Sequence, residues 1–287
     1  MVFAALLAAA ICAPCALAAK DEFNAQCWLD AAGFSVNCID GVWGAKSQRA
    51  KELYEQGYGA LPDKPFPLKT ETVTRLDENE LVAIPAKPED KAKLEYFGYE
   101  SLKEMFAERG HVSQRCLEKL NPEIVDWNNV HAGDRIRIPD FAAAGVKAGG
   151  KATLLRVSLK RCEIIAYDGE GKVVAFFPCS IAASKQNLPP EGELSIVSRV
   201  ENPNYTYTPD FVPAGEKARR HIFEPGPNNP VGIAWIGLDL PGYGIHGTPV
   251  PERVGNAESH GCFRLANWNA LKLYRMTGFD TKVVIDP

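Results

Sequence analysis

Hydrophobic positions change their spacing along the chain, and each change marks a different kind of structure. Near the front, "DEFNAQCWLDAAGF" brings Phe23, Cys27, Trp28 and Ala31 to one helical face. "AKSQRAKELYEQGYG" brings Ala50, Leu53 and Tyr54 to another and ends at Gly57. Between them, "FSVNCIDGVWG" holds Asp40-Gly41 and then Gly44, a turn. Over 59–92 the spacing is lost. Five prolines and many charges predict a linker with a strand at "LVAIP". Periodicity returns over 97–140. Leu102, Met105 and Phe106 share a helix face, Ser113 caps a second helix that stops before Pro122, and "VHAGDRIRIPDF" predicts a turn and a short strand. "AAAGVKAGGK", 142–151, reads as a flexible joint.

From 152 to 287 the period falls to two. Leu155, Val157 and Leu159 alternate with polar neighbours. The runs "RCEIIAY" and "KVVAFFPC" flank the turn "DGEG" as one hairpin, and "GELSIVSRV", "GIAWIGLDL" and "TKVVIDP" add strands. One helix, "WNALKLYRMT", is capped by Asn267 and ended by Gly278. A mainly β unit with one late helix predicts a sandwich or barrel that carries its site on loops.

The first eighteen residues change the setting. An apolar run of small residues leads to Ala16-Leu17-Ala18, and charge begins at Lys20, although no Lys or Arg precedes the run. This pattern predicts a secretory signal peptide over 1–18, too short for a membrane span; no later segment is long and apolar enough to be one. The expected location is therefore outside the cytoplasm, in the periplasm or cell wall, where disulfides persist. A net charge of −4 points to neither nucleic acid nor an anionic membrane surface.

In that setting six cysteines remain after cleavage. Cys27 and Cys38 bracket a helix and turn, which predicts a local disulfide. Cys162 and Cys179 sit at matching distances from the hairpin turn, which predicts a cross-strand one. Spacing alone does not fix connectivity. Cys116 reads as a small core residue.

Cys262 differs from the others. It stands in "YGIHGTPVPERVGNAESHGCFRL", a Gly-rich stretch with His246 and His260. An imidazole that takes the thiol proton leaves a thiolate–imidazolium pair, the nucleophilic form. Gly247 and Gly261 let backbone approach closely. The N–H groups of Gly261 and Cys262 can converge as an oxyanion hole, and Arg264 can grip a carboxylate. Zinc held by His246, His260 and Cys262 competes with this reading, but no Cys-x-x-Cys or His-x-x-x-His pair supports it.

Three stretches resemble known families. "IHGTP" followed by "SHGCFRLANW" resembles the signature of the L,D-transpeptidases, the YkuD-type domain, and the likeness extends over 152–287 through "LPPEGELSIVSRVENPNYTY" and "PGPNNPVGIAWIGLDLPGYGIHGT". Residues 21–58 resemble a small helical peptidoglycan-binding module through "IDGVWG". Residues 97–140 resemble a LysM module, without its first strand. The resemblance implies that Cys262 is acylated by a peptidoglycan tetrapeptide with loss of D-Ala. His246, oriented by the carbonyl of Gly247, is then the base; His260 supports the site, Ser259 orders the loop, and Arg264 binds a stem carboxylate. It also implies no metal or organic cofactor, acylation by carbapenems, and an acceptor that is a stem amine, a protein lysine, a free D-amino acid or water. Asn269 stands where relatives often carry Asp, and Phe263 where many carry Ile or Val. Two further readings remain: a carboxypeptidase releasing to water, and a wall-binding protein with an inactive catalytic domain.

Overall fold

The structure is a computed structural model that describes residues 13–146, 149–209, 219–255, 257–259 and 261–287. The front region begins with helices α1 (Ala13–Ala31) and α2 (Ala45–Tyr58). Strand β1 (Leu68–Thr72) and two short helices, α3 (Arg75–Asn79) and α4 (Pro88–Lys91), follow. Helices α5 (Leu102–Arg109) and α6 (Gln114–Leu120) and strand β2 (Arg135–Pro139) complete it. The helix faces expected from the spacing are the buried ones: Cys27, Trp28, Ala50, Leu53, Leu102, Met105 and Phe106 all lie in one core. Ser113 caps α6 by accepting from the Cys116 N–H. The stretch read as a linker is ordered. β1 pairs antiparallel with β2 over five residues. "LVAIP" forms no strand; Leu81 makes a single bridge to Tyr99.

The C-terminal region is built on a curled, mixed eight-stranded sheet. Its strands are β3 (Leu154–Ser158), β4 (Glu163–Tyr167), β5 (Val173–Pro178), β7 (Gly192–Glu201), β10 (Ala234–Leu238), β11 (Gly244–His246), β13 (Phe263–Arg264) and β14 (Lys282–Asp286). Their order is β13-β11-β10-β7-β14-β3-β4-β5. Two small pairs lie outside it, β6 (Ile181–Ala182) with β12 (Ala257–Ser259) and β8 (Tyr205–Tyr207) with β9 (His221–Phe223). Helix α7 (Asn267–Met276) packs Ala270, Leu273 and Met276 onto the sheet. The expected sandwich or barrel with one late helix takes the form of a curled sheet, a half-barrel, with α7 packed on it.

The β4–β5 hairpin explains how the front region is attached. Its runs are apolar at nearly every position, the pattern of strands buried on both faces. Ile164, Ala166 and Phe177 enter the core beneath α7, while Ile165 and Phe176 enter the core of the front helices. The edge of β5 is covered as well: Ser35 N–H donates to Phe176 O at 2.8 Å, and Phe176 N–H donates to Gly33 O at 3.0 Å. An open sheet edge is thereby closed within the chain.

Both expected disulfides are corrected, because Cys27, Cys38, Cys162 and Cys179 carry free thiols. Cys27 faces the front core, where Asp30 and Cys116 are its charged or thiol neighbours, whereas Cys38 sits beside Lys46 and Glu252. Cys162 and Cys179 do lie opposite each other, with the Cys179 N–H donating to Cys162 O at 2.8 Å. Cys162, however, has φ 52° and its thiol donates to Leu159 O at 3.8 Å, while Cys179 is fully buried in the sheet core.

Polar contacts fasten the front region to α7. Lys272 donates to Asp30 O at 2.8 Å, and Asp30 also accepts from His111 Nδ1 at 2.7 Å. Asn269 donates to Ser35 Oγ at 2.8 Å. Asn267 does not cap the helix; Ala266 takes that position. Its Nδ2 instead donates to both carboxyl oxygens of Glu108, at 3.2 and 3.1 Å, and to Pro227 O at 3.0 Å.

Burial pushes the Glu108 carboxyl up to about 8; the Asn267 amide opposes this and Glu104 adds to it. The sign follows from linkage. A carboxyl whose folded pKa exceeds its unfolded value stabilises the fold below the unfolded pKa, and that contribution is lost as pH rises toward the folded one. Glu108→Gln, which mimics the neutral acid, should therefore gain stability relative to the parent between pH 5 and 8, by at most about 1.4 kcal/mol per pH unit, read as a rising difference in thermal midpoint. A midpoint difference that stays constant over this range would show that Glu108 titrates as an ordinary surface carboxylate.

Candidate active site

Three short strands bring the reactive groups together. In the antiparallel β10–β11 pair Trp235 lies opposite His246, and in the parallel β11–β13 pair His246 lies opposite Arg264. Opposed residues on neighbouring strands share a face. Trp235, His246 and Arg264 therefore form one row across the sheet. The row two residues away contains Gly237 and Gly244, with Cys262 next to Gly244 just ahead of β13. The intervening residues Ile245 and Phe263 point the other way, into the core.

His246 is buried, and its Nδ1 lies 2.6 Å from Gly247 O. A carbonyl can only accept, so Nδ1 carries the proton and Nε2 is left as an acceptor. Burial lowers the imidazole pKa to about 4; the Gly247 bond opposes the shift and Arg264 reinforces it. Burial raises the Cys262 thiol, while the Gly244 N–H and Arg264 pull it back. Its Sγ–H donates to Gly242 O at 3.3 Å. Both shifts oppose the resting thiolate–imidazolium pair expected from the sequence. Desolvation favours the neutral thiol and the neutral imidazole.

The glycines serve close approach. A Cβ on Gly247 would lie 2.3 Å from Asn267 Oδ1, and one on Gly261 would lie 3.3 Å from the Tyr243 ring. Tyr243 is itself held by donating to Asn187 O at 3.0 Å. Ser259 ends β12, which pairs with β6. His260 lies outside the described residues. The structure thus brings together His246, Gly247, Gly261, Cys262 and Arg264.

The YkuD sequence profile, described as the L,D-transpeptidase catalytic domain, matches residues 152–285. YkuD of Bacillus licheniformis is 41% identical over 176 residues, 61% of this chain and 87% of its own length. YqjB of Bacillus subtilis (strain 168) is 35% identical over 132 residues, 44% of this chain and 67% of its own. Both are named for L,D-transpeptidases.

This chain belongs to the L,D-transpeptidase family.

Within this L,D-transpeptidase domain, sequence reasoning missed Trp235. Its ring stacks on His246 with centroids 5.5 Å apart and planes 22° apart. The indole N–H donates to Ser198 Oγ at 3.2 Å. Room for the indole comes from two glycines: a Cβ on Gly237 or on Gly244 would each come within 2.7 Å of it. The pair "G" at 237 and 244 around an aromatic strand was the available clue. Glu108 and Asn267 were missed too, because a contact across some 160 residues leaves no local pattern.

The indole withholds water from His246, and burial is the leading cause of its low pKa. Trp235→Ala should raise the pKa of His246 by about one unit or more, toward an ordinary histidine. An NMR titration of the His246 ring protons reads this directly; an unchanged midpoint would assign the desolvation to other neighbours. Gly244→Ala should displace the indole and give the same shift.

Proposed function

We propose that this chain is a cysteine-dependent L,D-transpeptidase of peptidoglycan. The observation that carries the reading is the placement of Cys262 and His246 on one face of adjacent strands, with the Nδ1–H of His246 committed to Gly247 and its Nε2 left to accept a proton. Cys262 attacks the carbonyl of the third stem residue as His246 removes the thiol proton. The N–H groups of Gly261 and Cys262 stabilise the oxyanion, and Arg264 draws in a carboxylate. Collapse expels D-Ala and leaves a thioester. An amine of a second stem then attacks, giving a 3→3 cross-link and regenerating the thiol. A protein lysine is an equivalent nucleophile.

His260 supports the base and Ser259 orders the loop in this scheme. The enzyme is exported, and its front region, in which α5 and α6 share a core with β2, holds it to the glycan. Among the described residues no helix is long and apolar enough to cross a membrane.

The test is mass spectrometry of purified disaccharide-tetrapeptides incubated with the protein and with Cys262→Ala. A cross-linked dimer should form with the first and fall by at least about 10³-fold with the second. Tripeptide without dimer would replace transpeptidation by hydrolysis. No turnover and no carbapenem adduct on Cys262 would overturn the catalytic reading.

A further inference from the structure

Near Cys262 and His246 lies a cavity of about 250 Å³ whose walls come from the front region and the catalytic region. Arg264 and Thr248 contribute from the catalytic region, Arg253 from the loop after His246, and Lys91 and Phe97 from the front region. Arg264 is the register partner of His246, so the cavity begins one strand spacing from the base. Three cationic side chains thus line one small space, and none of its described lining residues is acidic. The Arg264 Nε is buried without a hydrogen-bond partner among the described residues. A guanidinium carries five donors and leaves one buried and idle only at a cost. An entering anion that bonds to Arg264 relieves that penalty.

The front wall of the cavity is fixed in place. Phe97 N–H donates to Pro225 O at 2.9 Å, and Asn228 N–H donates to Phe97 O at 3.0 Å. The Phe97 ring stacks on Phe223 with centroids 5.5 Å apart. Gly226, at φ 147°, passes so near that a Cβ there would lie 2.2 Å from Phe97 O. The segment that carries Lys91 at the end of α4 is therefore strapped to the catalytic region.

We propose that this cavity is a carboxylate subsite of the substrate, completed by Lys91 of the front region. The proposal rests on the peptidoglycan reading of Cys262 and gives the front region a second role, that of a wall of the active site. A stem peptide offers two carboxylates close to the scissile carbonyl: the terminal one on the leaving residue, and a side-chain one where the third residue is a diamino diacid. Both share the chemistry that a lysine and a guanidinium select, and a bidentate pair with Arg264 orients either.

The experiment is steady-state kinetics of the full chain, Lys91→Gln and Lys91→Arg on three disaccharide-tetrapeptides. One has both carboxylates free, one is amidated at the terminus, and one is amidated on the third side chain. The parent should lose about 10-fold or more in kcat/KM on one amidated substrate, chiefly through KM, and that substrate identifies the carboxylate bound. Lys91→Gln should lose a similar factor on the free acid and no longer distinguish it from the amide, and Lys91→Arg should restore the distinction. Equal KM values of the parent on all three, or full discrimination by Lys91→Gln, would overturn the subsite and leave transpeptidation standing. No turnover of any of the three by the parent would overturn the reading of Cys262 and the subsite with it.

Discussion

The parallel pairing of two very short strands, Gly244–His246 and Phe263–Arg264, is the constraint on which the rest of the site depends. It joins segments separated by a sixteen-residue loop and sets their register, so that Arg264 stands beside His246 and Cys262 beside Gly244. A slip of one residue would turn His246 or Cys262 into the core, where Ile245 and Phe263 now lie. Two strands this short cannot hold their register alone. Antiparallel β10 supports one side, and on the other Ser180 and Arg264 exchange N–H···O bonds at 2.8 and 3.0 Å.

Behind this pairing the structure is braced from the front region. Asn267 follows the Cys262 loop directly, and its side chain is pressed between Gly247 and Glu108. Gly247 supplies the carbonyl that fixes the His246 tautomer. A chain of contacts thus runs from helix α5 to His246, alongside the attachment of α1 to α7 through Asp30, His111 and Lys272. Burial pushes the Asp30 carboxyl up, and Lys272 with His111 outweighs it and holds the group below the usual carboxylate range. The front region is thereby part of the architecture around the site.

What was legible in the sequence follows from where the information is local. The period-two runs and the "DGEG" turn specified the β4–β5 hairpin, and its unbroken apolar runs already carried its two-sided burial. Helix faces at Met105 and Leu53 were legible for the same reason. β1 was not: "LKTET" has no apolar alternation, and its partner β2 lies far along the chain. Cys262, His246 and Arg264 could be read as a site because they fall within one short stretch. The row that adds Trp235 depends on a third strand, and the Glu108–Asn267 contact on the docking of two regions. The disulfide readings failed at a similar point, since spacing placed Cys162 opposite Cys179 correctly but could not show which way each thiol turns.

The central claim is that a neutral thiol and a neutral imidazole are coupled across this strand pair. The most direct measurement is the rate at which iodoacetamide alkylates Cys262, followed by peptide mass spectrometry in the parent and in His246→Gln at neutral pH. The account predicts alkylation in the parent that depends on His246 and falls by about 10-fold or more in the variant, because the raised thiol then has no acceptor for its proton. Equal rates in the two proteins would contradict it.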